Sequence, residues 1–121
     1  MTGTSPKSVL VVDDDEQIRN VIQAVLTGAG YQVSLACNGK QALSVVRSMP
    51  VDILVTDLIM PEQEGVETIA VVRKEFPEIK IVAISGVAGG RYLRVAEFLG
   101  AHAVLQKPFE PAKLLTTLQG L

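Results

Sequence analysis

At 121 residues, with 48% hydrophobic and 20% charged side chains, the chain has the size and composition of one globular unit and falls outside the disordered class. A formal charge of −2 at pH 7 supplies no basic stripe, which argues against a direct grip on nucleic acid or an anionic membrane. The lone cysteine, Cys37, excludes an internal disulfide, and no apolar run approaches the ~20 residues of a membrane-spanning helix, so the cytoplasm is the expected setting.

The small, polar residues Met1 to Pro6 read as a loose lead-in, and the remainder as one unit. The first strand is the apolar run Val9-Leu10-Val11-Val12, which ends at Asp13 and Asp14. A helix follows, in which Ile18, Val21, Ile22, Val25, Leu26 and Ala29 keep the i, i+3, i+4, i+7 spacing and Gly30 ends it. Its N-cap is expected at Asp14 or Asp15, with Gln17 at the capping-box distance from Asp14.

The second strand spans about Gln32 to Ala36, and Asn38 is expected to cap the next helix, with Gln41 at the box position and Pro50 beyond its end. Cys37, at the end of that strand, reads as a small buried apolar residue without a redox role. The third strand, Ile53 to Thr56, delivers Asp57, and a third helix from about Gly65 to Phe76 is stopped by Pro77. Lys80 to Ile84 delivers Ser85, and a helix from about Arg91 to Leu99 ends at Gly100. Ala103 to Gln106 delivers Lys107, followed by Pro108, and the last helix starts at Pro111. The single histidine, His102, has no metal-ligand partner near it in sequence.

The strand runs are continuously apolar rather than alternating, as strands covered on both faces are. Five alternations of strand and helix therefore imply an α/β fold: a doubly wound, five-stranded parallel sheet with helices on both faces. Such sheets gather functional groups at the carboxyl ends of their strands, beside the point where strand order reverses. Asp13, Asp14, Asp57, Ser85 and Lys107 all occupy such ends.

Carboxylates about 4 Å apart repel by about 4 kcal/mol at an effective dielectric of 20, so the three acids require a proton or a hard cation. Mg²⁺ suits a site with few carboxylates and a phosphate-bearing ligand. A screened carboxylate is also a nucleophile toward phosphorus. Asp57 is the choice for that role, with Asp13 and Asp14 holding the metal and Ser85 and Lys107 reaching the phosphoryl oxygens.

Four motifs in order, Val11-Val12-Asp13-Asp14-Asp15-Glu16, Asp57-Leu58-Ile59-Met60-Pro61 with Gly65 following, Ser85-Gly86, and Lys107-Pro108-Phe109, resemble the receiver domain of two-component response regulators. The resemblance covers nearly the whole chain and implies the (βα)5, flavodoxin-like fold of stand-alone chemotaxis receivers. It implies that Asp57 accepts a phosphoryl group from a histidine kinase or histidine phosphotransfer protein. Mg²⁺ would be held by Asp13, Asp14, Asp57 and the Ile59 carbonyl, and the Lys107-Pro108 bond would be cis. Partners of such domains dock at the exposed end of the first helix.

The pattern departs from the family in places. The aromatic usual three positions before the lysine is Val104, with Tyr92 on the fourth helix as the substitute, and the usual Met-Asp before the glycine is Gln63-Glu64. His102-Ala103 and Pro111-Ala112-Lys113 stand where one transcriptional subfamily has its dimer-forming charges, so that dimer is not carried over. Apolar Ile59 and Val87 flank the expected site and would hinder an attacking water.

Three alternatives compete. An aspartate-nucleophile phosphohydrolase of the haloacid dehalogenase class needs a second acid two residues after the nucleophile, where this chain has Ile59. A pseudo-receiver that only binds partners would lack an acid or the lysine. A flavodoxin-like cofactor site would need a phosphate loop where this chain has acids. The expected role is that of a signalling module rather than an enzyme.

Overall fold

The computed structural model describes residues 6–58, 64–86 and 91–121. Five strands, β1 (Ser8–Val12), β2 (Gln32–Ala36), β3 (Ile53–Asp57), β4 (Lys80–Ser85) and β5 (Ala103–Gln106), alternate with five helices, α1 (Glu16–Gly28), α2 (Gly39–Ser48), α3 (Glu64–Glu75), α4 (Arg91–Leu99) and α5 (Pro111–Gln119). All strand pairs are parallel, in the order β2-β1-β3-β4-β5. The chain steps outward from β1 to β2, then crosses back to β3, so strand order reverses between β1 and β3.

Side-chain alternation splits the continuous apolar runs into two cores. Leu10, Val12, Leu54, Ile81 and Ala83 pack on one face with Ala42 and Val46 of α2, Ile69 and Val72 of α3 and Ala96 of α4. Val9, Val11, Ile53, Val55, Val82 and Ile84 pack on the other with Ile22 and Leu26 of α1 and Leu114 and Leu118 of α5. Each fully buried Leu, Ile or Val contributes about 1.5–3 kcal/mol of transfer free energy, so the three inner strands anchor whatever stands at their ends. The edge strands are covered less completely: β2 and β5 are mostly half-buried.

The helix boundaries follow local chemistry. Asp15, not Asp14, caps α1, its Oδ1 accepting from the amides of Gln17 (2.9 Å) and Ile18 (3.3 Å). That register puts Gln17 at the second helical position, so the expected box with Asp14 does not form. Asn38 caps α2 by accepting from Gln41 N at 2.8 Å, and the Gln41 side chain reaches back one residue further than a capping box would, accepting from Cys37 N at 2.8 Å. Cys37 is half-buried rather than buried, because it lies just past β2 in this capping turn, its sulfur accepting from Asn38 Nδ2 at 3.6 Å. Val21, assigned to the apolar stripe of α1 by spacing, is 60% exposed. The stripe is wider than the face the sheet covers.

Candidate functional site

The strand ladders continue one residue past the strand ends, and these extra bonds set the site residues in place. Asp13 N donates to Ala36 O at 3.2 Å, Leu58 N to Ile84 O at 2.9 Å, and Lys107 N to Ser85 O at 2.8 Å. Asp13, 1% exposed, therefore stands on the end of β1, and Asp57, 5% exposed, on the adjacent end of β3. Ser85, fully buried, closes β4 one residue beyond Ile84, the register partner of Asp57.

Lys107 joins the two buried acids. Its Nζ donates to Asp13 Oδ2 at 2.8 Å and to Asp57 Oδ2 at 3.1 Å. Burial alone pushes the ammonium's pKa down, but the hydrogen bond to Asp13 and the charges of Asp57 and Asp13 together outweigh it, and the net shift is upward. The lysine is thus held charged. Asp14 is exposed and makes no hydrogen bond among the described residues, yet carboxylate oxygens of Asp13, Asp14 and Asp57 all lie within 4.8 Å of one another. Capping by Asp15 is what leaves the Asp14 side chain available to this cluster.

Three oxygen donors, with one cation shared between two of them, suit a hard divalent ion that keeps several of its waters. Soft or tetrahedral metals would call for sulfur or imidazole, and neither Cys37 nor His102 belongs to the cluster. The described part of the expected ligand set is brought together. Ile59 and Val87 lie outside the described residues, as do the Tyr92 side chain and Gln63.

The packing role of Gly65, present in the sequence only as a motif position, and the part played by Arg19 were not legible there. Gly65 opens α3 so close to the end of β3 that an added Cβ would overlap Asp57 O and stand 2.7 Å from Leu58 Cα and 2.8 Å from Leu58 O. Arg19, one turn into α1, donates from Nη1 to Asp13 O at 2.6 Å. Helical side chains lean toward the N-terminus, which is why an arginine at this distance covers the loop behind it. His102 is a structural residue: its Nδ1 accepts from Ile81 N at 3.0 Å, and its own amide donates to Ile81 O at 2.7 Å. Val104 pairs with Ala83 in the sheet register and packs against the α2–α4 core as a half-buried aliphatic.

Beside Lys107 an open groove of about 560 Å³ runs between α1 and the turn after β5, lined by Ile18, Val21, Ile22, Pro108 and Phe109. The Lys107-Pro108 bond is cis, as the resemblance implied.

The sequence model of the family described as "Response regulator receiver domain" matches residues 9–119. The chain belongs to that family. Receiver domains are signalling modules switched by phosphorylation, and the acidic cluster is compatible with a metal site. The chemotaxis protein CheY of Thermotoga maritima is 33% identical over 113 residues, covering 93% of this chain and 94% of that protein. The probable transcriptional regulator ycf27 of Cyanidium caldarium is 34% identical over 113 residues, 93% of this chain. Among solved structures, the chemotaxis response regulator CheY4 of Vibrio cholerae superposes with a TM-score of 0.88 at 32% identity, covering 95% of this chain and 98% of that one. The receiver domain spans 45% of ycf27 and 24% of an NtrX-like regulator of Rickettsia bellii, so it is the shared module of longer relatives. Among the described residues, no helix is long and apolar enough to cross a membrane.

Proposed function

We propose that Asp57 is the phosphoacceptor of this receiver domain, taking a phosphoryl group from the phosphohistidine of a histidine kinase or histidine phosphotransfer protein in the cytoplasm. The observation that carries the reading is the Lys107 ammonium shared between Asp13 and Asp57, a preformed cation at the point where phosphoryl oxygens would gather.

Mg²⁺ is the proposed cofactor, held by Asp13, Asp14, Asp57 and the main-chain carbonyl of Ile59. When bound it would screen the phosphoryl oxygens from the carboxylates. A carboxylate oxygen of Asp57 forms the new bond to phosphorus. The P–N bond of the donor breaks, and the imidazole nitrogen leaves with the electron pair and takes up a proton from water. Lys107 stays protonated throughout and shifts part of its hydrogen bonding from Asp57 to the phosphoryl group. The Ser85 hydroxyl donates to a second phosphoryl oxygen from the neighbouring strand end. The apolar groove beside Lys107 is the side from which a helical donor approaches. With Val104 in place of an aromatic, the conformational readout does not run through a ring at that position.

The test is intact-mass analysis after incubation with acetyl phosphate and Mg²⁺. The native chain gains one phosphoryl group and Asp57→Asn none, and the gain is abolished by a chelator. Equal labelling of the variant would remove Asp57 from the role, and sustained turnover of a phosphate ester would favour the hydrolase reading.

A further inference from the structure

Every polar group of Asp13 is engaged. Its amide enters the β1–β2 ladder through Ala36 O, Oδ1 accepts from Asp15 N at 2.9 Å, and Oδ2 accepts from Lys107. The fourth group, the carbonyl oxygen, accepts from Arg19 Nη1 at 2.6 Å, a short, charge-assisted bond. That carbonyl belongs to the peptide unit joining Asp13 to Asp14, so its orientation helps set where the exposed Asp14 carboxylate points relative to the two buried acids.

We infer that Arg19 is a positioning residue for the divalent-ion site: its guanidinium fixes the Asp13–Asp14 peptide so that the Asp14 carboxylate is held in register with Asp13 and Asp57. The inference rests on the proposed metal role of these acids. It concerns a residue that touches neither the ion nor the phosphoryl group, and it acts as the outer-shell partners of metal ligands do.

The two things a guanidinium can contribute here have opposite signs. As a charge, Arg19 repels a divalent cation, and removing it would tighten binding. As a clamp, it holds a ligand-bearing peptide in place, and removing it would weaken binding. The closeness of the bond to Asp13 O favours the clamp, since one rigid donor fixes the peptide while the charge itself is directed at a carbonyl rather than at a carboxylate.

The experiment is calorimetric titration of the native chain, Arg19→Ala and Arg19→Lys with Mg²⁺, together with amide hydrogen exchange in the metal-free proteins. Arg19→Ala is expected to bind about tenfold more weakly, the lower end of what loss of an outer-shell partner costs, and Arg19→Lys to recover part of that loss. In the metal-free state the Asp15 amide, bonded to Asp13 Oδ1, is expected to exchange faster in Arg19→Ala while the Val11 and Val55 amides of the central strands do not change. That pattern separates a loosened loop from a loosened fold. Equal or tighter Mg²⁺ binding by Arg19→Ala, or unchanged exchange at Asp15, would overturn the clamp. A native chain that binds no Mg²⁺ would instead overturn the metal reading on which it rests.

Discussion

Replacing Asp14 by Asn should stabilise the metal-free protein, although Asp14 lies at the heart of the site. Oxygens of Asp13 and Asp57 stand within 4.8 Å of an Asp14 oxygen. Because Asp14 is exposed, the solvent-screened limit is the appropriate one, and each such pair then repels by about 0.9 kcal/mol. Lys107, bonded to the other two acids, offsets about one of these two repulsions. A net gain of about 1 kcal/mol is left, equivalent to about 3–5 °C in melting temperature for a domain of this size. Urea denaturation in chelator and low salt measures it directly. In 1 M salt, where the screening length falls to about 3 Å, most of the gain should vanish. Saturating Mg²⁺ should reverse the order, because an ion that binds the folded state stabilises the native chain more than the variant. A variant less stable than the native chain in chelator, or a gain indifferent to salt, would refute the electrostatic account of the cluster.

Gly65→Ala should cost about 1–3 kcal/mol or more and lower phosphorylation of Asp57, since the new methyl meets main-chain atoms of Asp57 and Leu58 that no rotamer change can move aside. Gly28→Ala, with nothing within 4 Å of its added Cβ at the end of α1, serves as the control and should be neutral or slightly stabilising in the same denaturation assay. His102 provides a pH test. Desolvation first, then the positive charges of Lys80 and Arg73, lower its pKa below the ordinary 6.5, since each disfavours the charged imidazolium. The unfolded chain then binds the proton more readily, so this stabilisation is complete above about pH 6.5 and is lost as pH falls toward the folded-state value. His102→Gln, whose side-chain carbonyl does not titrate, should lose less stability than the native chain between pH 7 and 5. Parallel losses would exclude His102 from the pH response.

The fold was legible because both faces of the central strands are buried, which makes β1, β3 and β4 continuous apolar runs ending abruptly in Asp13, Asp57 and Ser85. The polar residues at the ends of these runs could be placed on one sheet edge from topology alone. Side-chain competition was harder to read. Asp14 and Asp15 are chemically equal candidates for the α1 cap, and the choice of Asp15 depends on the Asp13 Oδ1 to Asp15 N turn, which spacing does not reveal. Arg19 and Gly65 act through main-chain atoms, a kind of contact that leaves no mark in a hydrophobic pattern. The bond of His102 to Ile81 depends on the stagger of β5 against β4, which begins at Ala103 opposite Val82 and so leaves the Ile81 amide to the imidazole. The exposure of Val21 shows the same limit from the apolar side: helical spacing marks a stripe, and the groove beside Lys107 occupies part of it.

The most direct measurement is to locate the phosphoryl group on the chain. An acyl phosphate on an aspartate is reduced by borohydride to homoserine, and peptide mass spectrometry then identifies the position that carried it. After treatment with acetyl phosphate and Mg²⁺, homoserine should be found at position 57 and at neither 13 nor 14. Homoserine at either of those positions, or none in a chain that binds Mg²⁺, would contradict the account.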